Sequence, residues 1–296
     1  AARTKERDVT SGQFDGERYK NAQRRDWDQV AAAWSKWWSL FERNAQQVSD
    51  RLAAMAMVQA GNQVLDVSAG IGEPAATVAK LVGPGGSVVA TDQAPAMLAV
   101  ARTRMADLGL SNVELVEADT ERLNVNDAEF DGAVCRWGLM FLPDLQQGLS
   151  RIRRSIKPGG KFATSVWSTS DKVPFISLSM GVAQRVLDPP PPSPPSDAPN
   201  LFKLGAPGLI ESAFEEAGFK DVQSEKSMMQ MIMDSAEEFR DFMSDIAPPI
   251  HALIADRSDS VKAAFWDAVA DGTRAFETSD GGVSVPGEAI LVVGTA

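Results

Sequence analysis

The sequence predicts an α/β protein built on a doubly wound, mostly parallel sheet. Between residues 63 and 167, short apolar runs rich in β-branched residues alternate with helical segments, which is typical of βαβ units. Glycine-containing stops at 83–86, Gly109 and 157–160 end those helical segments. A glycine turn, "SAGIG" at 68–72, follows the first strand, where an open α/β sheet places its ligand.

Five strands and three helices are predicted in this region. The strands are "QVLDVS" (63–68), "SVVATD" (87–92), "VELVEA" (113–118), "FDGAVCRW" (130–137) and "KFATSVW" (161–167). The helices are "PAATVAKLV" (74–82), "APAMLAVARTRMADLG" (94–109) and "DLQQGLSRIRRSI" (144–156), whose apolar residues recur at three and four. Further strands around "VQSEKSMMQMIM" (222–233) and at "GEAILVVGTA" (287–296) bring the predicted Rossmann-like sheet to seven strands.

Two segments of different character flank this core. The chain divides into an N-terminal helical lid segment at 1–45, a ligand-binding core at 46–168, and a C-terminal part of the same fold at 169–296. The C-terminal part carries predicted cap helices at 173–187, 206–219 and within 236–278. Its proline-rich insertion, "DPPPPSPPSDAP", favours an extended conformation and is interpreted as a stiff surface loop.

The lid segment contains an aromatic stripe. Trp27, Trp34, Trp38 and Phe41 are spaced by seven, four and three residues, with charged residues between them, which predicts an amphipathic helix or two. Such a stripe either packs on the main domain, as buried tryptophans usually do, or forms a lid whose rings line a ligand pocket.

Composition and charge narrow the class of partner. A net charge of -11 opposes binding to nucleic acid or anionic lipid, so the expected ligand is a small molecule. The single cysteine, Cys135, excludes an internal disulfide and a multi-cysteine zinc site, and we expect no metal and a cytoplasmic protein. No run approaches the roughly 20 apolar residues of a membrane span. Because the chain starts at Ala1, a removed targeting peptide stays an alternative.

The glycine turn alone is compatible with two kinds of cofactor. Gly70, Gly72 and Ala75 fit the G-x-G-x-x-A pattern that cradles a dinucleotide pyrophosphate. Asp66, inside the preceding strand, would repel pyrophosphate and favour a cationic amino or sulfonium group, unless it caps a nearby loop or helix. Asp92, at the end of the second strand, suits the ribose hydroxyls of either cofactor.

Three further residues are candidates for the adenine end. Asp119, after the third strand, can accept a hydrogen bond from an exocyclic amine, with Thr120 adding a backbone N–H or hydroxyl. A helix cap is the competing interpretation of Asp119. Met97 can pack against a purine face, although a helical methionine is more often core.

The motifs together resemble a known family. The series "VLDVSAGIG", "VVATDQAPAML", "VELVEADTERL", "FDGAVCRWGLMFLPD" and "IRRSIKPGGKF" is similar to the successive motifs of class I S-adenosylmethionine-dependent methyltransferases. It most resembles the branch of ubiquinone and menaquinone biosynthesis C-methyltransferases. The resemblance spans roughly Val64 to Trp167, with looser similarity in "LIESAFEEAGFKDV" and "VPGEAILVVG".

This resemblance implies S-adenosylmethionine as the cofactor of the core at 46–168. It implies that the methionine end is lined by Asp66, Ser68, Gly70 and Gly72, the ribose by Asp92 and Gln93, and the adenine by Asp119 and Thr120. Arg136 would border the methionine end and the acceptor pocket. The chain departs from the family at Ser68, where glycine is usual, and at Glu73 and Pro74, which replace a Thr-Gly continuation.

The implied function is methyl transfer to a small, apolar or aromatic acceptor by in-line displacement. Aromatic and methionine side chains available for the acceptor pocket, or equally for the core, are Trp34, Trp37, Trp38, Phe175, Met228, Met229, Met231 and Met233. No catalytic residue is assigned; the only histidine, His251, is either a base or a packing residue. The alternatives are an NAD(P)-dependent oxidoreductase and a non-catalytic cofactor-binding protein.

Overall fold

A computed structural model describes residues 14–192 and 198–296 of the chain. The beginning of the polar leader, residues 1–13, and the middle of the proline-rich insertion, residues 193–197, lie outside the described residues. The stiff loop expected for that insertion therefore stays a prediction. Nine α-helices, five short 3₁₀ helices and one seven-stranded sheet make up the regular structure of the described residues.

The sheet has the predicted class and number of strands. Its strands are β1 (Gln63–Val67), β2 (Ser87–Asp92), β3 (Val113–Glu117), β4 (Phe130–Arg136), β5 (Ile156–Trp167), β6 (Lys220–Met233) and β7 (Val283–Thr295). They lie in the order β3-β2-β1-β4-β5-β7-β6. The first five are parallel, whereas β7 runs antiparallel to β5 and to β6. Dinucleotide-binding folds have the order 3-2-1-4-5-6, so the insertion of β7 distinguishes this sheet from theirs.

The register of the parallel strands brings their carboxyl ends to one edge. Val67 of β1 pairs with Thr91 of β2, and Asp92 pairs with Glu117 of β3. On the other side of β1, Arg136 of β4 pairs with Ser165 of β5. The loops that carry the sequence-predicted polar residues therefore leave the sheet side by side.

The helices follow the predicted alternation. They are α1 (Gly16–Met55), α2 (Ala75–Val82), α3 (Pro95–Asp107), α4 (Leu145–Ser155), α5 (Pro174–Val186), α6 (Leu209–Glu216), α7 (Ala236–Ile246), α8 (Pro248–Ile254) and α9 (Asp259–Thr273). Buried side chains from both faces of the sheet, from α1 and α2 and from α4 to α9 form one large core. None of the described helices combines the length and apolarity needed to cross a bilayer.

The first helix is a single element of 40 residues, roughly 60 Å long. Asp15 caps it by accepting a hydrogen bond from the backbone N–H of Arg18 at 3.0 Å. Its second half is anchored in the core, where Ala45, Val48 and Leu52 are fully buried at helical spacing. The segment boundary predicted at residue 45 lies inside this helix. The helix has buried residues on both sides of this boundary, so it continues past it as one element.

The edge strand β6 explains the methionine run. Met229, Met231 and Met233 are buried, whereas Met228, Gln230 and Ile232, which alternate with them, are exposed. This alternation is that of a strand with one face on the core. The buried methionines are therefore core residues of the sheet.

Candidate active site

A cavity lies over the carboxyl edge of the sheet. Its floor is formed by the ends of β1, β2, β4 and β5 and the loops that follow them, and α1 covers it. The remaining wall comes from the C-terminal part of the chain, through the end of α7 and the start of α8. Residues from all three predicted segments therefore meet around one space.

Eight of the ten sequence-predicted cofactor residues line this cavity. They are Ser68, Gly70, Asp92, Gln93, Met97, Asp119, Thr120 and Arg136. Their order across the cavity follows the strand order: Asp119 after β3, Asp92 on β2, the glycine turn after β1, and Arg136 on β4. Neighbouring strands are about 4.8 Å apart, so this row of polar groups spans roughly 14 Å.

Asp92 lies at the centre of the row. One carboxylate oxygen accepts a hydrogen bond from the Gly70 N–H at 2.8 Å, and the other accepts from the Ala94 N–H at 2.9 Å. Burial raises the pKa of Asp92, and these two backbone N–H groups oppose the rise. A carboxylate offers about four lone pairs, so each oxygen can still accept a hydrogen bond from a ligand hydroxyl.

The glycine turn is held in a left-handed conformation. Ser68 has φ +56° and Gly70 has φ +55°, a region that glycine adopts most easily. The serine side chain packs against Gly138, where an added Cβ would lie 2.5 Å from the Ser68 Cβ. Sequence reasoning missed Gly138, although its position after the fourth strand was a signal that something approaches the backbone there.

Gly72 lies behind the turn and does not line the cavity. It has φ +101°, and an added Cβ would lie 2.6 Å from the Met105 Cε of α3. The close packing of the turn on α3 therefore requires a glycine here. The resemblance implied that Gly72 lines the methionine end of the cofactor, but the residue is not on the cavity surface.

Asp66 also lies behind the turn. Its side chain is fully buried, and neither carboxylate oxygen makes a hydrogen bond within the described residues. Burial, aided by the negative charge of Glu73, raises the pKa of Asp66 well above its ordinary value, while Arg136 opposes the shift. The backbone N–H of Ala75, which begins α2, also opposes the shift, so the alternative role of Asp66 as a cap stays a prediction.

Asp119 is a cap, as one of its two interpretations predicts, and it also lines the cavity. Its Oδ1 accepts from the Glu121 N–H at 2.9 Å, which caps the short 3₁₀ turn Thr120–Arg122. Its Oδ2 accepts from the Lys20 Nζ of α1 at 2.8 Å, and the residue lines the cavity. Lys20 also bonds Glu121 at 2.9 Å. Lys20 was missed because 99 residues separate it from Asp119.

Arg136 forms a buried ion pair with α1. Its two terminal nitrogens each lie 3.0 Å from an oxygen of Glu42, and its Nη1 also donates to the Ser49 Oγ at 2.9 Å. Only 6% of the arginine side chain and 10% of the Glu42 side chain are exposed. This bidentate pair uses the charge of Arg136, so the residue offers no free cation to an anionic acceptor.

The aromatic stripe of α1 serves as a roof and as a packing surface. Trp27, Trp34, Trp38 and Phe41 all line the cavity. The three tryptophans also pack on a small cluster of buried residues that includes Ile71 and Met97. Trp37 faces another way: its Nε1 donates to Asp245 at 2.7 Å.

The end of the cavity beyond β4 is aromatic and apolar. The rings of Trp137 and Trp167 are stacked with centroids 4.6 Å apart, and Phe175 lies next to Trp167 at 5.9 Å. Its other lining residues are Met140, Ile176, Leu201, Met243, Ile246 and Ile250. Of the acceptor-pocket candidates, Trp34, Trp38 and Phe175 are on the cavity surface, while Trp37 and the methionines of β6 are not.

Two other candidates lie elsewhere. The His251 Nε2 is 2.7 Å from the carbonyl oxygen of Ser244, and the ring packs near Trp266 rather than on the cavity. Cys135 is fully buried in β4, and burial raises the pKa of its thiol to about 12. The histidine is therefore a packing residue and the cysteine is not a nucleophile.

The fold and the comparisons agree with the resemblance seen in the sequence. The seven-stranded sheet with its antiparallel β7, and the acidic residues along its carboxyl edge, form the arrangement expected of class I S-adenosylmethionine-dependent methyltransferases. Within this class the core resembles one branch: residues 41–179 match the model of the ubiE/COQ5 methyltransferase family. The predicted fold class and the resemblance are thus confirmed, and S-adenosylmethionine is the cofactor of the class.

Two curated relatives show how far the similarity extends. The chain is 41% identical over 105 residues to the ubiquinone/menaquinone biosynthesis C-methyltransferase UbiE of Ectopseudomonas oleovorans, covering 35% of this chain and 62% of that protein. The UbiE protein of Pseudomonas putida is also 41% identical over 105 residues, which cover 41% of it. The matched region thus spans about three fifths of the first relative and two fifths of the second.

A solved structure extends the likeness of the fold to nearly the whole chain. Phosphoethanolamine N-methyltransferase 2 of Haemonchus contortus, in complex with S-adenosyl-L-methionine, superposes with a TM-score of 0.57. The alignment covers 96% of this chain and 60% of that chain at 19% identity. At this identity the likeness concerns the fold alone.

Proposed function

We propose that the protein transfers the methyl group of S-adenosylmethionine to a small, uncharged, apolar or aromatic acceptor by in-line displacement. The observation that carries this proposal is the single cavity with two unlike ends. Along β3, β2 and β1 its surface presents Asp119, Asp92 and the glycine turn, which suit a nucleoside. Beyond β4 its surface is built from stacked indoles and aliphatic side chains.

The cofactor end fits the chemistry of S-adenosylmethionine. Asp92 has lone pairs left for the ribose hydroxyls, and Asp119 with Thr120 borders the space where the adenine would lie. Met97 is buried but lines the same space and offers an apolar contact to the purine face. When bound, the cofactor supplies a methyl carbon activated by the adjacent sulfonium charge.

The acceptor end supports an uncharged substrate. The two basic residues of the cavity lining within the described chain, Lys20 and Arg136, are both paired with carboxylates. An anionic acceptor would therefore lose its hydration without gaining a free cation. An aromatic acceptor can instead pack against Trp137, Trp167 and Phe175.

Catalysis by this site rests on alignment and on exclusion of water. The indole side chains of α1 cover the cavity and the strand ends fix its floor, so an acceptor would be held on the apolar side of the cofactor. No general base is assigned. The cytoplasmic location and the absence of a nucleic-acid partner stay predictions.

Two measurements test this function. Isothermal titration should show micromolar binding of S-adenosylmethionine or its demethylated product and no binding of NAD or NADP. Release of S-adenosylhomocysteine should follow addition of uncharged phenols or hydroquinones and should be much slower with their carboxylated analogues. Binding of NAD without binding of S-adenosylmethionine would instead support an oxidoreductase.

A site variant and a matched control complete the test. Asp92→Ala should weaken binding of S-adenosylmethionine by about 1.5–3 kcal/mol, because charged hydrogen bonds to the ribose are lost. Asp107→Asn, an exposed position at the end of α3, should leave the affinity unchanged. Equal affinities of all three proteins would remove Asp92 from the site.

A further inference from the structure

Glu73 is a buried carboxylate of the cavity that the cofactor row described above does not use. It follows the glycine turn, lines the cavity, and is only 7% exposed. Its Oε2 accepts hydrogen bonds from Thr77, at 2.8 Å from the hydroxyl and 3.3 Å from the backbone N–H. Within the described residues its Oε1 accepts no hydrogen bond, and no basic nitrogen lies within 4.0 Å of either oxygen.

The surroundings of Glu73 do not neutralise it. Arg136 is held by Glu42 in a bidentate pair, and the charge of Glu42 itself acts on Glu73 unfavourably. Arg104 stacks on the Trp38 ring and donates to the Ile71 carbonyl, so it acts on Glu73 only at longer range. A carboxylate taken out of water in this way costs free energy unless a cation is brought to it.

The position of Glu73 selects one cation of the cofactor. Along the carboxyl edge, Asp92 on β2 marks the ribose, and the turn after β1 comes next towards β4. In S-adenosylmethionine the sulfur follows the ribose, and the amino-acid end follows the sulfur. The charges of Arg136, at the end of β4, and of its partner Glu42 both act on Glu73, so its carboxylate is on the β4 side of the turn, where the amino-acid end would lie.

We infer that Glu73 binds the α-ammonium group of S-adenosylmethionine. This inference rests on the proposed function and adds a residue to it. The Thr77 hydroxyl positions one oxygen of Glu73, which leaves the other to accept from the ammonium.

Two ligands that differ only in the amino-acid end test the inference. S-adenosylhomocysteine carries the ammonium and carboxylate, whereas 5′-methylthioadenosine lacks both, and neither carries a sulfonium charge. By isothermal titration at pH 7.5, Glu73→Gln should weaken S-adenosylhomocysteine binding at least about tenfold, as expected for a lost charged hydrogen bond. Binding of 5′-methylthioadenosine should change less than about twofold, since it makes no such contact.

The controls separate recognition from structure. Glu215→Gln removes a carboxylate from the exposed face of α6 and should change neither affinity. Wild-type protein should also bind S-adenosylhomocysteine at least about tenfold more tightly than its desamino analogue, a comparison that needs no folded variant. An unchanged affinity of Glu73→Gln, an equal loss for both ligands, or equal binding of the desamino analogue would overturn the inference. Wild-type protein that binds no adenosyl ligand would overturn the proposed function instead.

Discussion

Two aspartates near the glycine turn have different surroundings. Asp92 accepts backbone hydrogen bonds from Gly70 and Ala94 and faces the cavity. Asp66, one strand away and fully buried, makes no hydrogen bond within the described residues. The sequence showed Asp66 inside the first strand and Asp92 at the end of the second. Only the packed structure shows that Asp92 faces the cavity with two backbone partners and that Asp66 lies buried behind the turn.

Asp66 should make stability depend on pH. A carboxyl whose folded pKa lies above its unfolded pKa contributes stability below the unfolded value, and this is lost as pH rises through the folded value. Asp66→Asn should therefore raise the free energy of unfolding relative to wild type at pH 8, by about 1.4 kcal/mol per unit of pKa elevation. The gain should shrink towards pH 4. Urea unfolding at a series of pH values measures it.

The control for this prediction is Asp107→Asn, which changes an exposed carboxylate of similar chemistry at the end of α3. It should show no gain that grows with pH. A difference between Asp66→Asn and wild type that is constant from pH 4 to pH 8 would show that the buried carboxyl does not titrate differently in the two states.

Among the elements, α1 is held by two kinds of interaction. Its second half is buried through apolar contacts, with Ala45, Val48 and Leu52 in the core. Its first half is attached to the strand ends by polar contacts: Lys20 to Asp119, Arg24 to Glu117, and Asp28 to the Ala96 N–H that begins α3. The sequence predicted a helix here and left open whether it packs or covers the site. It does both, because one face of a long helix can meet the core and the cavity in turn.

The buried pair that joins α1 to β4 should be far more important than an exposed one. Glu42→Gln leaves Arg136 buried without its carboxylate and should lower the free energy of unfolding by about 3–5 kcal/mol. Arg24→Gln breaks the pair with Glu117, whose partners are 45% and 48% exposed, and should cost less than about 1 kcal/mol. Equal losses for the two variants in urea unfolding would contradict this ranking.

At the scale of the whole molecule, the cavity joins the three predicted segments. Its lining includes Trp34 from the first segment, Asp92 from the second and Ile250 from the third. The continuity of α1 across residue 45 links the first two directly. A ligand in this cavity should therefore stabilise the chain as one cooperative unit rather than one part of it.

Thermal unfolding tests this cooperativity. With S-adenosylmethionine at about one hundred times its Kd, the folded state should gain about 2.7 kcal/mol, and a single unfolding transition should move to higher temperature. NAD at the same concentration should leave the transition in place. Two transitions, of which only one moves with the ligand, would show that the segments unfold independently and that the predicted division has thermodynamic meaning.

The sequence by itself determined the strands and helices of the core and the order of its motifs. These depend on local periodicity, on glycine and proline stops, and on motifs whose members lie within a few residues of one another. It also identified Asp92, Asp119 and the turn at Gly70 as cavity residues, since parallel strands bring their ends to one edge.

Only the tertiary structure decided which groups are partners. Lys20 reaches Asp119 across 99 residues and Glu42 reaches Arg136 across 94, distances in sequence that leave no local signal. Gly72 likewise packs against α3 and is not on the cavity surface. The buried methionines of β6 lie in the core because alternate side chains of this strand face it. Such contacts are fixed by how whole elements pack against one another, and periodicity along the chain carries no information about them.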